Sequence, residues 1–406
     1  MIRTYVKITV DLEPGWRVGS WAATASDVRG TVRDPLDPSL AWAPGSSVTG
    51  SLRQAAGDCA DQLFGCLPSN TEQPQAVPSS WWVLGTTLST GKDSRPAIRS
   101  RKQTAISRDR RAPTEHGLSE SEEVDAAQLG IYLRSDDADV TELLDVVRGW
   151  VPRLGGGRTT GRGFGTVTGF AYRRLDLDRR EDLLELLTAG GDPASRVDRL
   201  LRQATTETVP AAEQRLVLRA TVTSPQVGLL SEDETEYATH GSQWKGMLRS
   251  RVELIARSLG HSPCITEQSW TGCGTCDLCA AFGSTTRSGA WEFHTSRWED
   301  GSTVSRGRNA IDRFTGGVRN QLLFTEHNRQ DVTMTLRITS SRDDVPGWVH
   351  TALLHALRDL NDGLWGIGPR TSTGLGTVQV NCLTTAQGKV DLNRLEPVTV
   401  PTKEQP

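Results

Sequence analysis

Four short phrases recur in the same order in the two halves of this chain, and that repetition constrains its fold more than any other feature. Pro44 to Arg53 (PGSSVTGSLR) is matched by His240 to Arg249 (HGSQWKGMLR). Phe64-Gly65 is matched by Phe282-Gly283, and Ala105 to Arg108 (AISR) by Ala310 to Arg313 (AIDR). Two glycine-rich loops close the series, Gly155 to Gly165 (GGGRTTGRGFG) and Gly366 to Gly376 (GIGPRTSTGLG). One shared pair is within chance, whereas four in register argue for a duplicated domain. A chain of 406 residues has room for two domains of roughly 200 residues, each able to bury its own core.

Each half opens with alternating apolar and polar residues, Tyr5 to Leu12 and Leu216 to Val222, the pattern of a strand with one covered face. A loop, the G-S phrase and a helical stretch follow (Val48 to Leu63; Trp244 to Leu259). Next come a poorly periodic middle, a strand (Ala127 to Leu133; Asp331 to Ile338) and an amphipathic helix (Val140 to Leu154; Val345 to Leu364). The glycine loop and a closing strand (Thr166 to Tyr172; Thr377 to Asn381) complete each half. This order predicts an α+β protein of two tandem ferredoxin-like domains with long insertions. The expected boundaries are residues 1–174 for the first domain, 175–210 for a helical connector, 211–390 for the second domain and 391–406 for a flexible polar tail.

No apolar run approaches the roughly 20 residues of a membrane span. Met1 to Val10 alternates like a strand and lacks the apolar core of a signal peptide, so a cytoplasmic protein is expected. A net charge of −3 argues against a uniformly basic nucleic-acid binder. Arginine nevertheless far outnumbers lysine and clusters in particular stretches, which leaves room for a local basic groove. Most of the tryptophans, Trp150, Trp348 and Trp365 among them, fall on expected helices or beside core strands and are assigned to packing.

The G-S phrase sits where a loop enters a helix. Amides and hydroxyls at a helix N-terminus can hold a phosphate, because the donors there are unpaired and the dipole is positive. Ser46, Ser47 and Arg53 suit that role in the first half, and Ser242, Lys245 and Arg249 in the second. A simple N-cap is the plain alternative for an isolated copy, but duplication beside a basic residue favours phosphate. The glycine loops carry Arg158, Arg162 and Arg370, whose guanidiniums match phosphate geometry. A tight helix-to-strand connection would also need those glycines, and neither loop is a Walker or Rossmann phosphate loop.

Of the seven cysteines, Cys264, Cys273, Cys276 and Cys279 form a C-x8-C-x2-C-x2-C cluster. Such spacing suits a structural zinc site in a reducing compartment rather than a disulfide framework. An iron–sulfur cluster is a weaker fit, because the fourth cysteine precedes the run and no Cys-Pro follows. His261 is a possible substitute for Cys264. The first half keeps only Cys59 and Cys66, so its metal is expected to be lost, and Cys382 reads as an ordinary strand residue.

Taken together, these phrases resemble the RAMP superfamily of CRISPR-associated proteins, and specifically the repeated backbone subunit, the Cas-seven group, of type III effector complexes. The likeness rests on Gly241 to Arg249, Cys273 to Gly283 (CGTCDLCAAFG) and Asn309 to Gly317 (NAIDRFTGG) in the second half. In the first half it rests on Arg33-Asp34-Pro35 and Pro44 to Arg53. It covers nearly the whole chain and implies two fused backbone subunits, as in some type III-D-like systems, each a modified RNA-recognition domain. The resemblance implies that the G-S element contacts the backbone of the guide RNA (crRNA), and that the partners are complementary target RNA and other effector subunits. It also implies histidine beside cysteine at the metal site.

In that family an aspartate in the loop before the G-S phrase cleaves target RNA. Asp27 lies closest to that place; Asp34, in the R-D-P phrase, and Asp233, in the second half's acidic Ser231 to Glu236, are runners-up. Such a carboxylate orients or deprotonates a 2′-hydroxyl or holds a divalent metal such as Mg²⁺; an aspartate in a polar turn is the plain alternative. The family's thumb corresponds to Arg308, Arg313, Phe314 and Arg319, an aromatic wedge among arginines suited to unstacking bases. The first half's equivalent, Arg99 to Arg111, is more basic but lacks the Phe-Thr-Gly-Gly. A non-catalytic scaffold subunit is the alternative function. A guide-processing endonuclease would need histidine near the first strand and helix, where the first half offers only the distant His116.

Overall fold

The computed structural model describes residues 1–20, 28–66, 76–90, 95–107, 112–136, 139–229, 237–261 and 272–399. The chain divides into two compact units: Met1–Arg158 with Arg162–Glu213, and Thr159–Gly161 with Gln214 onward.

The core of the first unit is a five-stranded sheet in the order Trp82–Ser89, Ala127–Asp136, Ile2–Leu12, Gly165–Asp176, Thr205–Glu207, antiparallel throughout. Numbered along the chain without the edge strand Thr205–Glu207, the order is 4-1-3-2, the ferredoxin-like arrangement. Alternation in Ile2–Leu12 decides what each face covers. Val6, Ile8, Val10 and Leu12 point into the main core with Val48 and Leu52 of the helix Gly45–Ala56 and Leu143, Leu144 and Val147 of the helix Val140–Gly149. Tyr5 points the other way, into a smaller cluster with Tyr132, Leu175, Ala189, Val197 and Leu200.

That second cluster corrects the expected connector. Residues 175–210 are helical over Arg180–Thr188 and Pro193–Leu200, yet they fold back on the first unit, and Thr205–Glu207 joins its sheet edge. Burying Val197 and Leu200 gains roughly 1.5–3 kcal/mol per side chain, enough to hold the segment down.

The second unit repeats the arrangement: Trp291–Phe293, Val318–Ser340, Arg215–Gly228, Gln379–Thr385 and a short edge Gly388–Lys389. Its first four chain-ordered strands again lie 4-1-3-2, with the helices Gly241–Ser258 and Gly347–Asn361 covering one face. Leu218, Ala220 and Val222 meet Met334, Leu336 and Ile338 across the ladder and pack under Trp244, Leu248, Leu353 and Leu357. Residues 390–399 are held rather than frayed: Leu392 is buried, Leu395 and Val398 pack on the core, and His355 Nε2 lies 2.8 Å from Glu396 O. Cys382 departs from ordinary strand geometry, standing at φ 49° where the register shifts between Asn381 and Thr384. Trp16, Trp81, Trp150, Trp244 and Trp291 are fully buried, as packing residues should be.

In both units a β-hairpin is inserted between the second and third strands of the sheet: Ile98–Ile106 with Pro113–Val124, and Ser302–Ile311 with the start of Val318–Ser340. No helix among the described residues is long and apolar enough to cross a membrane.

Candidate nucleic-acid interface and metal centre

The G-S phrase begins its helix in both units, and its letters divide into structural and exposed positions. A Cβ on Gly45 would lie 3.1 Å from Val83 Cγ1, and one on Gly241 would lie 1.9 Å from Phe293 O, so the first glycine lets the helix start close onto the second strand of the sheet. Val48 and Leu52, like Trp244 and Leu248, are buried. Ser46 and Gly50 remain on one exposed face, four residues apart, with Gln54 one turn further. Ser242, half-buried, and Gly246, exposed, hold the same positions in the second helix. Gly50 and Gly246 are each the sixth helical residue, and a Cβ on either would meet nothing within 4 Å. An exposed glycine inside a helix costs about 0.5–1 kcal/mol relative to alanine, so internal packing does not account for it at either position.

The two helix starts differ in how they are satisfied. Pro44 offers no side-chain cap, although Ser47 N–H donates to its carbonyl at 3.0 Å. The second start is capped by a reciprocal pair, the His240 ring accepting from the Gln243 amide while Gln243 Oε1 accepts from His240 N–H at 2.9 Å. Lys245 Nζ donates to Thr159 Oγ1 at 2.8 Å, and burial, with Arg249 behind it, draws its pKa down to about 8.

Arg53 and Arg249, both expected among the RNA contacts, brace the fold. Arg249 is 8% exposed and donates to Glu253 Oε1 at 2.8 Å, Gly283 O at 2.6 Å and Cys279 Sγ at 3.8 Å. Arg53 likewise donates to Gly65 O and the Asp61 carboxylate. Arg162 is buried against Glu123, its Nη2 2.8 Å from Oε1, and desolvation lowers its pKa to about 10. Arg158 stays exposed, and its Nη1 reaches Gln54 Oε1 at 3.4 Å, at the end of the Ser46–Gly50–Gln54 row.

The glycine loops match in conformation but two residues away from their alignment by letters. Positive φ occurs at Gly155, Gly157, Gly161 and Gly163, and with identical spacing at Gly368, Arg370, Gly374 and Gly376. Leu154 N–H donates to Gly163 O at 2.8 Å and Ile367 N–H to Gly376 O at 2.9 Å, which fixes the register. Arg370 therefore stands at φ 61° where the first loop has Gly157, at a backbone cost of about 1–2 kcal/mol. Its guanidinium lies over the Phe324 ring and donates to Glu326 Oε2 at 2.9 Å; Arg308 shares the same carboxylate. Glu326, nearly fully buried, thus joins the hairpin to the glycine loop, a role that no local sequence pattern marks.

At the hairpin tip, Asp312 Oδ1 accepts the amides of Phe314 and Thr315, both at 2.9 Å, and so folds the turn that carries Phe314. Phe314 is 99% exposed, and Ile311, Val318 and Leu323 are also uncovered. Arg313 and Arg319 flank them in solvent. Ile106 and Leu118 are exposed on the first unit's hairpin.

Of the acidic candidates, Asp27 and Asp233 lie outside the described residues. Asp34 is described, and its Oδ1 accepts the Leu36 amide at 2.9 Å, the geometry of a turn former. The segment beyond Asp27 is held by Glu122, whose Oε2 accepts Thr31 N–H at 2.8 Å and whose Oε1 pairs with Arg33 at 2.5 Å. Glu122 and Glu123 sit in a run of alternating acids that reads as a solvated strand, which hid this role.

Cys273, Cys276 and Cys279 bring three Sγ atoms within 4.8 Å of one another, close to the edge of roughly 3.8 Å implied by Zn–S bonds of about 2.3 Å. The Cys276 amide donates to Cys273 Sγ at 3.2 Å and the Cys279 amide to Cys276 Sγ at 3.4 Å, bonds that favour thiolates. The Thr275 hydroxyl, foremost among several donors, lowers the Cys273 thiol to about 6. Three convergent thiols fit a metal ion of thiophilic character. His261 is not in this group and its ring lies 6.2 Å from that of Trp348, while Cys264 lies outside the described residues.

No curated protein matches the chain. The model of the RAMP superfamily matches residues 234–379, a span within the second unit that contains the G-S helix, the three thiols, the hairpin and the second glycine loop.

Proposed function

We propose that this chain is a double-unit backbone subunit of a type III CRISPR ribonucleoprotein, binding guide RNA through an equivalent surface in each unit. The observation that carries the reading is the exposed row Ser46–Gly50–Gln54 with Arg158 joined to Gln54, repeated in part by Ser242–Gly246. Serine hydroxyls and helix-start amides supply phosphate donors, and an open glycine lets a sugar–phosphate strand lie against the helix. Such contacts carry no base information, so any guide sequence is accepted and pairing alone reads the target. Phe314, with Arg313 and Arg319, acts as the wedge that separates a base from its stack. Arg308 and Arg370, held together by Glu326 and still partly exposed, offer guanidinium edges further back along the same hairpin.

The cysteines hold a structural zinc ion through Cys273, Cys276 and Cys279, with Cys264 as the fourth ligand. The metal would cross-link the chain between residues 264 and 279. Target cleavage is assigned to Asp27, whose carboxylate orients or deprotonates the attacking 2′-hydroxyl. Assembled complex carrying Asp27→Ala should bind guide and target as before and lose cutting at one position, with Mg²⁺ or with chelator. Undiminished cutting there would overturn the assignment, and absence of cutting in the unaltered complex under any divalent ion would make the subunit a scaffold.

A further inference from the structure

The two units brace the G-S helix with the same arginine but close the brace with different anions. In the second unit Arg249 grips Gly283 O at 2.6 Å and Cys279 Sγ at 3.8 Å. In the first, Arg53 grips Gly65 O and the Asp61 carboxylate. The positions are equivalent in detail. Gly65 N–H donates to Asp61 O and Gly283 N–H to Cys279 O, both at 2.9 Å, and both glycines take positive φ to end a short helix. Asp61 and Cys279 each stand four residues before that glycine.

We infer that Arg249 is the outer-shell positioning residue of the cysteine metal centre, and that Asp61 replaces the metal-bound thiolate in the first unit. This rests on the metal reading above. Three or four thiolates around a divalent cation leave excess negative charge, and a buried guanidinium beside one sulfur offsets it and fixes that ligand's orientation. The pairing leaves Glu253, fully buried one turn on, to hold the other edge of the guanidinium. Gly272 belongs to the same cage: a Cβ there would lie 3.1 Å from Cys279 Sγ and 3.5 Å from Arg249 Nη2. A carboxylate carries the necessary charge without a metal, so the first unit keeps the brace with no thiol cluster. The helix Gly241–Ser258 is then metal-dependent, and the helix Gly45–Ala56 is not.

The test is metal affinity of the full chain, read by competition with a chromophoric zinc chelator and by the thiolate-to-cobalt charge-transfer band of the Co²⁺ form. Arg249→Gln should bind zinc about 10- to 100-fold more weakly, with Arg249→Lys recovering part of the loss. Arg53→Gln, which breaks the sister brace, should leave zinc affinity unchanged although it destabilises the first unit. Should Arg249→Gln fail to fold, Cys279→Asp gives the second arm: it should fold with its G-S helix protected from hydrogen exchange and insensitive to chelator, as in the first unit. Unaltered zinc affinity in Arg249→Gln overturns the inference, as does chelator-sensitive exchange in Cys279→Asp. An unaltered chain that takes up no zinc and no cobalt overturns the metal reading itself, which is a different result.

Discussion

Replacing Gly50 and Gly246 with alanine should stabilise the protein and weaken its hold on RNA, opposite signs that a purely structural glycine cannot produce. Both sit sixth in their helices with open space where a side chain would be. Alanine is favoured over glycine inside a helix by about 0.5–1 kcal/mol. For units of this size that is roughly 2–4 °C in melting temperature for each kcal/mol. On the RNA side, the new methyl group stands between the strand and the helix. Losing one backbone contact of ordinary strength, about 1 kcal/mol, lowers affinity about fivefold, and the two sites, one in each unit, together lower it by roughly 25-fold if they add. Differential scanning calorimetry and fluorescence anisotropy with a labelled guide RNA at fixed salt measure the two effects on the same samples. A double variant that melts higher and binds RNA as tightly as before refutes the idea that a nucleic-acid strand lies across these glycines.

Gly163→Ala and Gly376→Ala should each destabilise their unit by about 2 kcal/mol. Both residues have positive φ, and the new Cβ would lie 2.0 Å from Leu154 O and 1.9 Å from Ile367 O respectively, so urea melts showing no loss in either contradict the shared loop conformation. Lys245, with a folded pKa near 8 against 10.5 for the free group, binds fewer protons in the folded state than in the unfolded one between those values, so stability contributed at this site rises with pH across that window. The rise should be smaller in Lys245→Met than in the unaltered protein, and identical pH profiles would count against the burial described. Phe314→Ala should leave the folding stability within about 0.5 kcal/mol of the original, since the ring is 99% exposed. It should nevertheless change the spacing or efficiency of target cuts in the assembled complex, and an unchanged cleavage ladder argues against a wedge.

The central strands were legible because alternation in Tyr5 to Leu12 and Leu216 to Val222 reports a covered face directly. The G-S helices were legible because their starts carry turn letters and their apolar residues recur at helical spacing. Other features depend on long-range partners that no local pattern encodes. Arg53 and Arg249 read as ligand-facing cations, because the carbonyls of Gly65 and Gly283 that they bind leave no trace in composition. The glycine loops were aligned two residues out because letters were matched, whereas the fold repeats positive φ and tolerates Arg370 at one such site. Thr205–Glu207 is too short to announce a strand, so the preceding helices looked like a free connector. Glu326 stood in an exposed-looking polar strand until two arginines from distant segments converged on it.

The central claim is that both units grip one RNA strand with equivalent helix faces, and site-specific photocrosslinking in the purified effector complex tests it most directly. Crosslinkers placed at Ser46 and Ser242 should both attach to the guide RNA, at nucleotides separated by a constant interval whatever the guide sequence. Attachment from one position alone, or from neither while the complex retains its guide, would contradict the account.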